Sequence, residues 1–462
     1  MNPATIAQRL AAEMVAVRAT ALDATVVTRA NELLLDHLGV TIGGVPAESS
    51  VAIRRGLTSL GFGGSATVIG STERLPPPQA ALANGAAAHA RELDDTHRGG
   101  SVHLGASVFP AALAASELAP ASGTMVLRAA VAGFEVAARV AMALDPAAHY
   151  RRGFHPTGTC GAFGATVAAG LLLGLDAPQL AHALGIAGSQ ASGAMEFLAD
   201  GTWTKRFHPG WAACAGLHAA AIARAGFRAP STIFEGRFGV LHDYSDGARE
   251  GPLAGDGTWA LMATSIKPHA CCRYMQGPID AVLALRAEQT LEVGAIARIE
   301  VGMLAAALAI VCEPAAAKRR PQTTVDAQFS LPFGVAVALA HGRAGPDEFV
   351  PAVFESAAVR ALMDRVEMVH DPALDRVYPR DWPSWVRIHL HDGRVLERAL
   401  MHPSGDPENF LDPAALEAKC RRLATPVLGA AAVDHLLAAV HAFPTAPDTT
   451  ALLASARPPL PR

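Results

Sequence analysis

This 462-residue chain lacks C-x-x-C cysteine spacings and blocks of like charge, and their absence excludes several kinds of protein. Its six cysteines include no C-x-x-C pair, so the spacings of a zinc ribbon and of the usual iron–sulfur sites are missing. The net charge is −4 and no block of five or six like charges occurs, so we expect no general attraction to nucleic acid. Structural, reduced cysteines are the simpler interpretation.

The familiar nucleotide and hydrolase signatures are also missing. The glycines of GTCGAFG are spaced G-x-x-G-x-x-G, no G-x-G-x-x-G follows a strand pattern, and there is no G-x-x-x-x-G-K-[ST] loop. The segment GSQASG does not have the spacing of a G-x-S-x-G nucleophile elbow. Nothing in the sequence therefore points to a nucleotide, a nicotinamide cofactor or a serine hydrolase.

Apolar residues are abundant. They make up 51% of the chain, which is enough for a large core and excludes a disordered protein. The first residues carry acidic groups and lack the features of a signal peptide, so we expect an N-terminal helix and a cytoplasmic protein. The uncharged run over 157–175 approaches the length of about 20 residues that spans a bilayer, but its glycines and alanines favour a buried helix.

The hydrophobic pattern predicts a mainly α fold with two domains, as the chain length also suggests. Up to about residue 265 the apolar segments have helical length and period, as in VVTRANELLLDHLGVTIGG. ARIEVGM and WVRIHLHDGRVLERAL alternate as half-buried strands do, with Asp392-Gly393 as a hairpin turn, and from Asp412 the pattern is helical again. We predict an all-helical domain over residues 1–265 with 405–462, and a smaller α+β domain over 266–404.

Four polar segments interrupt the apolar sequence. Each places His, Lys or Arg beside Gly or Pro, where a helix should begin or end and backbone N–H groups can meet an anion. Together they would form a cationic pocket suited to a carboxylate substrate, with His155 just before a helix that opens near Thr157. In chain order the segments are ELDDTHRGGSVH (92–103), RRGFHPTGTC (151–160), DGTWTKRFHPG (200–210) and SIKPHACCRY (265–274).

Simpler structural interpretations stay open for each segment. Asp94 and Asp95 would serve equally well to end one helix and cap the next segment. His155 would serve as part of a helix-start signal, and lone lysines such as Lys205 and Lys267 are more often surface charges.

A metal site is the sharper alternative for the first segment. Asp94, Asp95, His97 and His103 have the chemistry of metal ligands. Their spacing matches no standard pattern such as H-E-x-x-H, so we predict no metal site here.

Taken in order, the four segments resemble the MmgE/PrpD family, over roughly residues 5–440. The resemblance rests on ELDDTH…H, GFHPTGTCGAFGA, TWTKRFHPGWAACAGLHAA followed by AGFRAPSTIFEG, and IKPHACCRYMQGPIDA. It implies a large all-helical domain built from both ends of the chain, a smaller α+β lid domain and usually a homodimer. It also implies an active site between the domains that uses no metal or organic cofactor.

The resemblance also implies which residues form the site. The family's acidic and threonine positions fall on Asp94, Asp95 and Thr96, and its lysines fall on Lys205 and Lys267. We predict as catalytic Asp94, His103, His155, Lys205 and Lys267. We predict as substrate-binding Asp95, Thr96, Arg206, His208, Arg273 and Tyr274, whereas Glu92, His97 and Arg98 are weaker candidates.

Two positions depart from the family pattern. Leu104 follows His103 where many members have proline, which leaves the local turn open. The tyrosine expected for a cis-aconitate decarboxylase is missing from DAQFSLPFGVA, where Leu331 and Phe333 stand nearby. The second departure argues against that decarboxylase.

The residue types suit removal of a proton next to a carboxylate. Lys205 and Lys267 would stabilise the resulting negative charge, and His103 and His155 would exchange protons near neutral pH. Asp94 or Asp95 would orient a histidine or act as the base. We predict a lyase, specifically a dehydratase (hydro-lyase), for a small di- or tricarboxylate. The alternatives are an epimerase or racemase of a similar acid such as iminodisuccinate, and a non-catalytic protein that binds carboxylates.

Overall fold

The computed structural model describes residues 3–61, 63–289, 291–378 and 380–459. Helices account for 58% of the chain and strands are few, which confirms the mainly α fold. Two compact units are present. The helical unit contains the chain up to Ala90, Asp94–Thr264, and the chain from Asp412 onward, whereas the mixed unit contains Arg91–Leu93 and Ser265–Leu411.

The helices and strands have the following bounds. The helices are α1 Ile6–Ala16, α2 Ala24–Gly44, α3 Glu48–Ser59, α4 Pro77–His89, α5 Gly105–Leu118, α6 Gly123–Ala143, α7 Pro146–Arg151, α8 Pro156–Thr159, α9 Gly161–Leu172, α10 Ala177–Gln190, α11 Phe197–Asp200, α12 Thr204–Arg224, α13 Val240–Asp243, α14 Gln276–Glu288, α15 Ala305–Ala307, α16 Ala315–Lys318, α17 Thr324–Gln328, α18 Leu331–His341, α19 Pro351–Phe354, α20 Ala357–Met363, α21 Pro372–Asp375, α22 Pro413–Leu428, α23 Ala430–Ala442 and α24 Thr450–Ser455. The strands are β1 Ala66–Thr67, β2 Arg74–Leu75, β3 Thr96–His97, β4 Thr264–Ser265, β5 Ile296–Met303, β6 Val366–His370, β7 Ser384–Leu390 and β8 Val395–Leu400.

Small residues let the long helices of the helical unit approach closely. A Cβ added to Gly133 of α6 would lie 2.7 Å from the carbonyl oxygen of Gly164 on α9. One added to Gly85 of α4 would lie 2.8 Å from Gly210 Cα on α12. Larger side chains at these crossings would force the helices apart, because packed interiors leave no spare volume.

The uncharged run over 157–175 is a pair of buried helices. It contains the end of α8 and all of α9, whose residues are buried on every side. A helix that is apolar all round is expected in the core of a large helical protein. Among the residues that the structure describes, no helix combines the length and apolar character needed to cross a membrane.

The C-terminal helices pack on the N-terminal ones. A Cβ on Gly39 of α2 would lie 3.1 Å from Cys420 Cα on α22, so the two backbones are nearly touching. At the same crossing the buried Lys419 ammonium donates to the buried Asp36 carboxylate. A buried carboxylate needs such a partner, because burial penalises its charge and raises the pKa of Asp36.

The mixed unit is built around a four-stranded sheet in the order β6-β5-β7-β8. Strand β5 runs parallel to β6 and antiparallel to β7, and α14 packs on β7 and β8. Strands β7 and β8 form an antiparallel hairpin in which His389 pairs with Val395. Gly393 has a φ of 88° in the connecting turn, so the hairpin predicted at Asp392-Gly393 is confirmed.

The buried pair between α2 and α22 yields a stability prediction. We expect Lys419→Met to lower the free energy of unfolding by about 3–5 kcal/mol, because it removes the ammonium that pairs with the buried Asp36 carboxylate. Arg421→Met, on the same helix, removes an exposed partner of Asp434 and should leave the free energy of unfolding almost unchanged. Urea unfolding measures both, and equal losses in the two variants would contradict the prediction.

Candidate active site

The first polar segment is a tight hairpin between α4 and α5. The His97 N–H donates to the Val102 carbonyl at 2.8 Å and the Val102 N–H donates to the His97 carbonyl at 3.3 Å. Gly99 and Gly100 lie in the turn, where a Cβ on Gly100 would come within 2.8 Å of Ala141. The hairpin returns the chain so that Thr96 Oγ1 lies 3.3 Å from His103 Nδ1. Residues seven apart in the sequence thus meet.

His89, the last residue of α4, is a member of the site that sequence reasoning missed. Its ring is fully buried and its Nδ1 lies 2.7 Å from Asp94 Oδ2. The same carboxylate oxygen lies 3.5 Å from His103 Nδ1. Asp94 therefore stands between two imidazoles. The available signal was a histidine at the end of a helix, five residues before the predicted acid.

The protonation of two rings follows from their partners. His103 Nδ1 lies 2.7 Å from the Asp95 carbonyl oxygen, which can only accept, so Nδ1 donates. When neutral, His103 therefore carries its basic lone pair on Nε2. The same reasoning applies to His89, whose Nδ1 donates to the Asp94 carboxylate. In both neutral rings the lone pair is therefore on Nε2.

Backbone contacts join the second polar segment to the first. The His103 N–H donates to Thr157 Oγ1 at 3.1 Å. Helix α8 begins at Pro156, next to the expected start near Thr157, and His155 precedes it. The His155 N–H donates to the Gly193 carbonyl at 2.8 Å, which holds this histidine in place.

His155 faces a histidine of the third segment. His155 Nδ1 and His208 Nδ1 lie 3.1 Å apart, so one nitrogen must donate and the other accept, and both rings cannot be charged at once. Burial, followed by the nearby Lys205 and His208 charges, holds the pKa of His155 well below its usual range. Burial, followed by His89 and Lys205, lowers the pKa of His208 to about 4. Both rings are neutral near pH 7.

The helical unit thus brings together ionisable residues of three polar segments. The ring centroids are 4.7 Å apart for His89 and His103, 5.8 Å for His89 and His155, and 6.2 Å for His103 and His155. Lys205 and His208 lie on one side of the first turns of α12, three residues apart. The result is a buried imidazole cluster with one ammonium and one carboxylate beside it.

Asp95 serves the backbone of α5 in this structure. Its two carboxylate oxygens accept from the Gly105 N–H at 2.9 and 3.0 Å, and burial raises the pKa of Asp95 to about 8. A Cβ on Gly105 would lie 2.7 Å from Asp95 Oδ2, so a larger residue there would displace the Asp95 carboxylate. Leu104 has helical φ and ψ of −81° and −47°, so α5 begins at Gly105 without the family's proline.

Arg206 of the third segment contacts α3. Its Nη1 donates to Ser49 Oγ at 3.3 Å, and the side chain is mostly buried. Its predicted role in substrate binding, like that of Asp95 and Thr96, stays a prediction.

The fourth polar segment lies in the mixed unit, where Lys267 is fully buried. Its Nζ lies 3.6 Å from Glu92 Oε2. Glu92 has a φ of 55°, an uncommon backbone conformation for a residue with a side chain. Such a conformation is retained where the surroundings over-determine it, and the predicted catalytic role of Lys267 remains a prediction.

Arg273 and Tyr274 have partners within the mixed unit. The Arg273 guanidinium is paired with the buried Asp406 carboxylate. The Tyr274 ring stacks on Trp382 with centroids 4.4 Å apart, and its hydroxyl lies 3.1 Å from that of Tyr378. These contacts support the shape of the segment, and the predicted roles of both residues in substrate binding remain predictions.

Comparisons with known proteins agree with the family resemblance. The MmgE/PrpD N-terminal domain matches residues 8–251 and the MmgE/PrpD C-terminal domain matches residues 269–443. A cis-aconitate decarboxylase-like protein, oryM of Aspergillus oryzae, is 29% identical over 94% of this chain and 93% of its own. The cis-aconitate decarboxylase of Aspergillus terreus is 30% identical over 93% and 91%. The human cis-aconitate decarboxylase is 33% identical over 47% and 46%.

His97 yields a prediction for stability against pH. Its Nδ1 accepts from the Gly100 N–H at 3.1 Å, and burial, then Arg98, lower the pKa of His97 from 6.5 to about 4. Between those values only the unfolded chain binds this proton, so stability is lost as the pH falls. His97→Asn keeps an acceptor for the Gly100 N–H. It should reduce the slope of the free energy of unfolding against pH by about 1.4 kcal/mol per pH unit.

Urea unfolding at several pH values between 4 and 7 checks this expectation. His242→Asn is the control, because His242 is exposed and should leave the slope unchanged. An unaltered slope in His97→Asn would show that the ring is not the group that titrates.

Proposed function

Because this chain belongs to the MmgE/PrpD family, we propose that it is a lyase acting on a small tricarboxylate, and that decarboxylation of cis-aconitate is its first candidate reaction. The observation that carries the proposal is the convergence of His89, His103 and His155 beside Lys205. The curated relatives that align over more than nine-tenths of this chain support the same reaction through their names.

The chemistry of cis-aconitate defines what the site must do. Breaking the bond between the CH2 carbon and its carboxylate releases CO2 and leaves an electron pair in an allylic carbanion. This charge extends to the CH carbon of the former alkene and to the carboxylate attached to that carbon. A proton then adds to that carbon, giving a methylene-substituted dicarboxylate. The protein must stabilise the transient charge and deliver one proton.

The neutral imidazoles of the free protein suit a trianionic substrate. Burial and the Lys205 charge keep protons off His155 and His208 when no anion is near. Three carboxylates beside these rings would favour the imidazolium form, since an opposite charge within about 4–6 Å raises a histidine pKa. Substrate binding would thus load the proton that the carbanion later takes, and Lys205 would stabilise the developing charge.

Dehydration, the reaction predicted from the sequence, is the second candidate. One observation favours it: His103 holds its proton on Nδ1, so a neutral Nε2 is ready to remove a proton next to a carboxylate. The buried Leu331 and Phe333 of α18 also offer no hydroxyl where a decarboxylase tyrosine was expected. The epimerase and the non-catalytic carboxylate-binding protein find no support among the relatives.

An assay in D2O separates these reactions. Purified protein is mixed with cis-aconitate, 2-methylcitrate and citrate, and the products are followed by NMR. We expect CO2 loss from cis-aconitate, with one deuterium added at the CH carbon of the former alkene. Alkene formation from a hydroxy acid would favour the dehydratase instead. Proton exchange without bond cleavage across the panel would contradict the lyase.

Site variants test the residue roles. We expect His103→Gln, His155→Ala, Lys205→Met and Lys267→Ala to lower kcat by about 10²–10⁴, the usual contribution of acid–base and electrostatic groups. Each variant should keep the parent's circular dichroism spectrum. His242→Gln, at an exposed position, should keep full activity. Near-parental turnover in any of the four would refute the role of that residue.

A homodimer and a cytoplasmic location are further parts of the proposal. Trp203, Phe207 and Trp211 lie four residues apart at the start of α12, all exposed, with the last two rings stacked. Such an aromatic stripe is typical of an interaction surface, and a second copy is the simplest symmetric partner. Light scattering tests the homodimer: we expect the mass of a dimer for the parent and the mass of a monomer for Trp211→Glu. A monomeric mass for the parent, unchanged in the variant, would contradict it.

A further inference from the structure

We propose that His89, His103 and His155 also form a binding site for one divalent transition-metal ion such as Zn²⁺, and that the bound ion inhibits the enzyme. One nitrogen of each ring lies within 4.8 Å of the other two. Ligand nitrogens of a tetrahedral zinc site lie about 3.4 Å apart, given bonds of about 2.0–2.1 Å. The rings therefore need to approach one another by at most about 1.4 Å.

The contacts behind the rings are those of metal-binding histidines. Such histidines donate their second N–H to a carboxylate or a backbone carbonyl, which fixes the ring and the free nitrogen. His89 does this with the Asp94 carboxylate at 2.7 Å, and His103 does it with the Asp95 carbonyl at 2.7 Å. Two of the three ligands are therefore already oriented, each with its metal-binding lone pair on Nε2.

The third ligand depends on its neighbour. Because His155 Nδ1 faces His208 Nδ1 at 3.1 Å, the pair exists in two arrangements of one proton. When His155 Nδ1 donates to His208, the lone pair of His155 lies on Nε2 and can bind the ion. Metal binding would select that arrangement, so His208 acts as a positioning residue for the third ligand.

Burial and ligand type favour this cluster over a second one in the mixed unit. His89 and His155 are buried and His103 is 9% exposed, so a bound ion would be shielded from water. The second cluster consists of Asp381, His402 and Glu408, with His402 Nδ1 at 3.8 and 3.5 Å from the two carboxylates. Three imidazoles suit Zn²⁺, Co²⁺ or Cu²⁺ better than a partly exposed, oxygen-rich set does.

The inhibition follows from the shared nitrogens and is the only part that rests on the proposed function. An ion bound to the three Nε2 atoms occupies the lone pairs that would accept and return protons. The ion would have three protein ligands and an open fourth position, where a substrate carboxylate could bind without reacting. Metal binding by itself is independent of any catalytic activity.

Metal-free protein titrated with Co²⁺ tests the site without a substrate. We expect one equivalent per chain and the visible absorption of a tetrahedral, nitrogen-bound ion. His89→Gln should weaken binding at least tenfold. His402→Gln and His242→Gln should bind as the parent does. Unchanged binding in His89→Gln, loss in His402→Gln, or no stoichiometric binding in the parent would each overturn the proposal.

X-ray absorption of the Zn²⁺-loaded parent protein covers the case in which His89→Gln fails to fold. Three imidazoles around the ion support the site, and an oxygen-rich shell refutes it. If turnover of cis-aconitate is found, Zn²⁺ should abolish it and a chelator should restore it. Full turnover with the site saturated would overturn the inhibition, whereas absent turnover would count against the proposed function and leave the binding result standing.

Discussion

The hydrogen bond between His89 and Asp94 is the contact on which the buried imidazole cluster depends. An ionised carboxylate and an imidazole are costly to bury among alanine-rich helices unless they satisfy each other. This pair joins the end of α4 to the start of the hairpin that carries Thr96 and His103. Without it Asp94 would lose its shortest contact to an imidazole, and the end of α4 would lose a tie to the hairpin.

The alanine and glycine content of the helices explains how the cluster can form at all. Small side chains bring α4, α6, α9 and α12 within backbone contact, so their ends converge on a small volume. Helix ends are where backbone groups lack partners and where polar side chains can be satisfied. The apolar body of the helical unit and its polar centre are thus consequences of the same close packing.

The buried histidines give the site a definite protonation state. Burial outweighs the neighbouring charges for His155 and His208, and their facing nitrogens allow only one proton between them. A cluster of neutral imidazoles is able to take up a proton when an anion arrives, and it is also able to bind a metal ion. In the proposed reaction and at the proposed metal site the same lone pairs would be used, so proton transfer and metal binding would compete.

The sequence by itself determined the mainly α fold, the hairpin at Asp392-Gly393, the family, and the four polar segments, because these depend on local period, turn residues and motif order. It pointed to His103, His155 and Lys205 but overlooked His89, which shows no motif and becomes part of the cluster only where α4 ends against the hairpin. Only the tertiary structure decided that Asp95 caps α5 and that Glu92 lies beside Lys267. Such partners are chosen by distance in space, and a sequence pattern records only distance along the chain.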